Sequence, residues 1–181
     1  SARSIARELN ASTRPIYSSM DSMHVLEDAV VRKALDLYVT YLTWEYTGDP
    51  WVDNGIGFIL FARDEKQLFL AINDERHTQI QRKHSREVWS FLAETLNDYP
   101  PFAGLDEEVV MRIRVSRWML LHGMASLITN GWMQLDEANR IIIGGKKAAD
   151  LDRVVRTVSE ALRIGLTAEG AFEDGEPDSR Q

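Results

Sequence analysis

The sequence contains no cysteine, which excludes a disulfide framework and any thiolate metal site. No apolar run is long enough to carry a helix across a bilayer, and nothing resembles a secretory signal. The glycine-rich phosphate loop, Gly-x-Ser-x-Gly, Glu-x-x-His and His-Glu-x-x-His are all missing, so the motif-bearing nucleotide enzymes, serine hydrolases, helical di-iron proteins and zinc proteases are set aside. His77 and His84 lie about two helical turns apart, farther than a pair sharing one ion normally sits. No metal, no cofactor and no catalytic residue is therefore expected. Positive charge is scarce as well: 21 Lys and Arg against 28 Asp and Glu give a net charge of −7, which argues against nucleic-acid binding over the whole surface.

What remains is an ordinary globular composition, 181 residues with 44% hydrophobic and 27% charged side chains. That suits one domain, or a large domain with a small appendage. The few basic groups are unevenly placed. Residues 1–20 hold Arg3, Arg7 and Arg14 against Glu8 alone, a small basic head on an acidic body.

The most informative stretch runs from Ser4 to Leu26, SIARELNASTRPIYSSMDSMHVL. Ile5, Ala6 and Leu9 give a first short helix an apolar face, and Asn10-Ala11-Ser12 breaks it, with Asn suited to a left-handed turn. Ser12 is the expected N-cap of a second short helix. Pro15, which has no amide, would sit in that helix's first turn, leaving Arg14 as the amide to be capped. This second helix would expose Thr13, Arg14 and Ser18 and bury Ile16 and Met20, the pattern of a helix-turn-helix.

The segment resembles the DNA-binding part of the TetR/AcrR-like transcriptional regulators. The apolar-Ala pair of that pattern falls on Ile5 and Ala6, its turn on Asn10-Ala11-Ser12, and its Leu/Ile-Tyr pair on Ile16-Tyr17. Met20, Ser22 and Leu26 complete the spacing. Met20 stands where an aromatic is usual, and Met23 where a phosphate-binding lysine is usual. A Trp-His-Gly signature in one branch of the family's sensor domains is similar to Trp118, His122 and Gly123. The family's helix-turn-helix is preceded by another helix, so a truncated or partly unlisted N-terminus is expected.

Farther along, Asp21 or Ser22 should cap a long helix reaching about Tyr46, with Met20 packing on Val25 across the cap. Its stripe is Leu26, Ala29, Val30, Leu37, Tyr38, Tyr41 and Leu42, and Gly48-Asp49-Pro50 should end it. Trp51–Arg63, with GIGFILFA at its centre, reads as a sheathed central helix. A short helix at Gln67–Ile72 precedes an amphipathic one over Glu75–Leu96, whose inner stripe is His77, Ile80, His84, Val88, Phe91, Leu92 and Leu96. Asp106 should cap a helix reaching about Trp132 that is apolar on two sides. One side carries Val110, Arg114, Arg117, Leu121, Met124 and Ile128; the other carries Met111, Val115, Trp118, His122, Ala125 and Trp132. Gly123 costs such a helix about 1 kcal/mol relative to Ala, which close approach by another helix would justify. After a loop ending at Gly144-Gly145, a last helix from about Lys147 to Leu166 precedes an acidic tail expected to be disordered.

The expected fold is all-α: a helix-turn-helix lacking its first helix (residues 1–26), joined by a long helix to a helical-bundle ligand-binding and dimerisation domain (27–168), then the tail (169–181). The resemblance implies a cytoplasmic homodimeric repressor released from a palindromic double-stranded DNA operator when a small, mostly apolar effector binds. Two alternatives stay open: a helical dimeric small-molecule binder that has lost DNA binding, and an all-α enzyme. Candidate DNA-binding residues are Arg3, Ser12, Thr13, Arg14, Pro15, Tyr17 and Ser18, with Thr13 and Arg14 at the bases and Tyr17 and Ser18 on phosphates. Candidate ligand-binding residues are Tyr41, Trp44, Trp51, Phe58, Phe61, Trp89 and Trp118, with His77, His84 and His122 as polar handles. A two-fold dimer interface is expected from Leu121, Met124, Ile128, Leu151, Val154, Val155, Val158 and Leu162.

Overall fold

The computed structural model describes residues 1–97 and 99–168; the expected disordered tail lies outside the described residues, as do the side chains of Phe91 and Leu92. The fold is helical, with one small sheet.

Helix α1 (Ala2–Glu8) buries Ala2 and Ala6 on one face. Its end follows the expected route: Asn10 takes a left-handed φ of 48°. Asn10 N–H then donates to the Arg7 carbonyl and Ala11 N–H to the Ala6 carbonyl, the two bonds that close a helix C-terminus in this way. Leu9, expected on the apolar face, is 68% exposed. Helix α2 (Arg14–Ser19) has Thr13, not Ser12, at its N-cap, and no side chain caps it. Pro15 occupies its first turn and removes one of the two amides a capping hydroxyl could reach.

Helix α3 (Met23–Leu42) is capped by the Ser22 hydroxyl, which accepts from Val25 N–H at 3.2 Å. Its buried stripe is Val31, Ala34, Leu35, Tyr38 and Leu42, so Val31 takes the place expected of Val30, which is exposed. The helix stops four residues before Tyr46 for a reason that lies downstream. Asp53 reaches back from the next helix and accepts from Thr47 N–H, Thr47 Oγ1 and Gly48 N–H at 2.6–3.0 Å. These bonds hold the turn between this helix and the next.

Helix α4 (Pro50–Asp64) is the sheathed central helix, buried along almost its whole length. Asp49 caps it, accepting from Trp51 and Val52, and Pro50 starts it without needing a partner. Two glycines let neighbours come close. A Cβ on Gly57 would collide with the backbone carbonyl of Tyr41, and one on Gly55 with the Arg117 guanidinium and Val155. Around α4 the aromatic rings of Tyr38, Tyr41, Phe58, Phe61 and Phe69 meet edge-on or tilted at 5.2–6.4 Å, favourable ring geometries.

Helix α5 (Lys66–Ile72), a 3-10 turn at Glu75–His77 and α6 (Thr78–Asn97) follow. A second 3-10 turn (Pro100–Phe102) then leads to α7 (Glu107–Thr129), capped by Asp106 as expected. Helix α7 ends before Trp132, which is exposed. Its buried line is Ile113, Arg117, Leu121, Met124, Ala125 and Thr129, whereas Met111, Val115 and Trp118 on the second expected stripe are partly exposed. No other part of the described chain comes within 4 Å of a Cβ on Gly123. The close approach expected there occurs instead at Gly57.

The expected loop before the last helix is an antiparallel sheet in the order β1 (Gln134–Leu135), β2 (Arg140–Ile143), β3 (Lys146–Asp150). Ile143 pairs with Lys146 across Gly144 and Gly145, both at positive φ, a two-residue hairpin turn that glycine pairs favour. Ile141 on β2 enters the core. Because β3 occupies residues up to Asp150, α8 (Leu151–Thr167) starts four residues later than the expected Lys147 and buries Leu151, Val155 and Ser159. No helix of the described residues is long and apolar enough to cross a membrane.

Candidate functional site

Two features stand apart from plain core packing: the outer face of α2 and a cavity enclosed by α3, α4, α6 and α7. On α2, Arg14, Tyr17 and Ser18 are three and four residues apart and so share one face. All three are exposed, Tyr17 at 63%. Ile16 and Met20 are half-buried on the other side, with Thr13 at the helix start. Ser18 Oγ donates to the Pro15 carbonyl at 3.2 Å, so its hydroxyl oxygen stays able to accept. Ser12, Pro15 and Arg3 are exposed nearby in sequence. These side chains share an exposed surface, and the N-cap position of their helix is held by Thr13 rather than Ser12, with no side-chain cap.

The cavity has a volume of about 600 Å³, inside the range of roughly 300–1,000 Å³ usual for small-molecule sites. Tyr38 and Leu42 come from α3, and Trp51, Asn54 and Phe58 from α4. Helix α6 adds Trp89, Ser90, Ala93 and Leu96, and α7 adds Met111, Arg114, Val115, Arg117, Trp118 and Leu121. The Trp89 and Trp118 rings meet nearly at right angles, 6.3 Å apart. Both are partly exposed and form the rim, while Trp51 and Arg117 are each 3% exposed and form the floor.

Of the ligand-binding candidates, Trp51, Phe58, Trp89 and Trp118 line this cavity. The others are elsewhere. Trp44 follows the end of α3 and is 62% exposed. Phe61 is wholly buried in the core, and Tyr41 packs on it while its hydroxyl donates to Asp64. The histidines do not supply the polar handles. His77 bonds through Nδ1 to the Ala71 carbonyl at 2.9 Å, and His84 lies 3.2 Å from the Asp28 carboxylate. Asp28 is held below the usual carboxylate range, first by its hydrogen bond from Lys83 and then by His84. His122 sits behind the wall, its ring 4.2 Å from Trp118 and 4.8 Å from Phe58, with burial lowering its pKa.

The charged side chains in the described lining are the arginines Arg114 and Arg117. Arg117 Nε donates to Ser159 Oγ at 2.8 Å, Nη1 to Asn54 Oδ1 at 3.2 Å, and Nη2 to the Trp51 carbonyl. The guanidinium also lies 3.9 Å from the Trp51 ring centroid, a cation–π contact. Burial pushes its pKa down to about 9, against a smaller upward pull from Tyr99 and Asp49. Arg114, higher on the same wall, stands over the Phe102 ring and is also lowered by burial. Sequence reasoning placed Arg114 and Arg117 on an apolar stripe without assigning them a role. A cation repeated on an inward-facing stripe was the available signal, because a buried charge needs a partner.

The interface candidates divide in two. Leu121, Met124, Leu151 and Val155 are buried within the chain's own core. Ile128, Val154, Val158 and Leu162 are half-buried on α7 and α8.

The described residues form a helical bundle around a rimmed, mostly apolar cavity, preceded by two short helices, α1 and α2. The family model described as tetracyclin repressor-like, C-terminal domain matches residues 51–141, half of the chain. The protein belongs to the TetR family of transcriptional regulators. No curated protein matches the chain, and no solved structure does.

Proposed function

We propose that this protein is a DNA-binding transcriptional repressor that leaves a palindromic operator when a small molecule fills the cavity. One observation carries the reading: α3 begins at the Ser22 cap, directly after the helix-turn-helix, and ends with Tyr38 and Leu42 in the cavity wall. A rigid helix shared by both features couples them, since any guest that moves its far end tilts its near end. Residues 1–26 would form the reading head and 27–168 the sensing and dimerisation domain. Thr13 and Arg14 would face base edges and Tyr17 and Ser18 would hold phosphates, with Arg3, Ser12 and Pro15 beside them at the DNA.

Two such heads on a two-fold dimer must lie roughly 34–36 Å apart to meet successive major grooves. The effector shifts that spacing only by as much as it prefers one state over the other. For the dimer, Ile128, Val154, Val158 and Leu162 remain available, and the open space above Gly123 leaves room for a helix of the second subunit.

The competing reading is a dimeric small-molecule binder without DNA binding, favoured by Met23 where the family usually has a phosphate-binding lysine. A mobility shift on genomic DNA fragments, repeated across a salt series, separates them. Retardation that weakens steeply with salt is expected, because each phosphate contact releases counterions. No shift at low salt would remove the repressor reading.

A further inference from the structure

The floor of the cavity is more unusual than its walls. A guanidinium that is 3% exposed is held there by three neutral oxygens and no carboxylate. The carboxylate with the strongest influence on it, Asp49, caps α4 and pairs with Arg156 at 2.9 Å. Each terminal nitrogen of Arg117 has one N–H beyond those bonds. Beside it, Trp51 Nε1 is buried without a hydrogen-bond partner, and Trp51 lines the same cavity. Arg114 lies on the same wall. Hydrogen-bonding lining residues also include Asn54, Ser90, Tyr38 with its hydroxyl, and Trp89 and Trp118 with their indole N–H groups, and among the described residues no Asp or Glu lines the cavity.

Buried charge without a counter-charge is costly, and a buried donor without an acceptor adds to the cost. Both are relieved by the same kind of guest. We propose that the effector is an amphipathic carboxylate, its anionic head on Arg117 and Trp51 Nε1 and its apolar body between Phe58, Leu121 and the Trp89–Trp118 rim. A carboxylate fits because a guanidinium offers two parallel donors that match its two oxygens. The aromatic rim accepts a flat or flexible hydrocarbon body equally. This inference rests on the cavity being the effector site, and it replaces a mostly apolar ligand by one with a defined head group.

The test uses the full-length protein and two acid–ester pairs, decanoate with methyl decanoate and 2-naphthylacetate with its methyl ester, followed by calorimetry and tryptophan fluorescence. At least one acid should bind about tenfold or more tighter than its ester, the scale of a charge-assisted hydrogen bond in a buried site. Arg117→Gln should abolish that preference. Trp51→Phe should reduce it by less. Equal binding of acid and ester by the unaltered protein overturns the inference and leaves the cavity reading standing. If neither acid nor ester binds, both fall. Should Arg117→Gln fail to fold, the acid-to-ester ratio of the unaltered protein and the Trp51→Phe variant decide the matter without it.

Discussion

Gly57 of α4 and the backbone carbonyl of Tyr41 on α3 touch so closely that no methyl group fits between them. The neighbour is backbone, which cannot swing aside as a side-chain tip could. Gly57→Ala should therefore separate the two helices and cost about 3 kcal/mol, at the upper end for an overpacked core. Urea denaturation followed by far-UV circular dichroism measures this, and a loss below about 1 kcal/mol would show that the helices part easily.

Gly123 is the opposite case. With nothing among the described residues near its absent Cβ, Gly123→Ala should gain up to about 1 kcal/mol of helix propensity in a monomer. In the proposed dimer, Gly123→Leu would drive a bulky side chain into the second subunit's helix. Sedimentation should then show dissociation at concentrations where the unaltered protein is paired; an unchanged dimer would locate the contact elsewhere.

Arg14 stands exposed on the same face of α2 as Tyr17 and Ser18. Arg14→Ala should lose about 1–3 kcal/mol of discrimination between operator and altered operator. Tyr17→Phe should weaken all sequences alike if the hydroxyl holds a phosphate. Competition binding with single-base operator variants distinguishes these outcomes.

His122 gives the fold a dependence on mild acid. Burial among Phe58, Phe69 and Trp118 lowers its pKa, so the folded state favours the neutral ring. A depressed folded pKa means this contribution is fully present above the unfolded value of about 6.5 and lost as the pH falls through the folded value. Thermal midpoints should drop on going from pH 7.5 to 5, and His122→Gln should flatten that drop.

Asp53 is buried and gathers Thr47 and Gly48 through three hydrogen bonds. Asp53→Ala strands two backbone amides in the turn between α3 and α4 and should cost about 2 kcal/mol. Asp53→Asn, which keeps an acceptor, should cost less.

The helices were legible wherever one face is wet and the other dry, and the caps Ser22 and Asp106 were legible because their side-chain oxygens act locally. Where the deciding contact comes from far along the chain, reading failed. Nothing near Tyr46 announces that Asp53 will claim Thr47. The three strands are too short for periodicity to reveal, although Gly144-Gly145 after Ile141–Ile143 was a hairpin signal read only as a loop. On α3 the buried face was displaced by one residue, from Val30 to Val31, because two adjacent valines look alike until a neighbour selects one. The two-sided apolar character of α7 was real, and its meaning came from packing: Ile113 and Ala125 face the core, while Met111, Val115 and Trp118 border the cavity. The same limit explains Arg117, whose partners Trp51, Asn54 and Ser159 lie 66, 63 and 42 residues away.

Because Arg117 of α7 binds the start of α4 with two nitrogens and Ser159 of α8 with the third, it acts as a mechanical junction among three helices. A small displacement of that one guanidinium strains its hold on α4, on α8 or on both. Whatever grips the arginine therefore also sets the tension in α8, none of whose described residues lines the cavity.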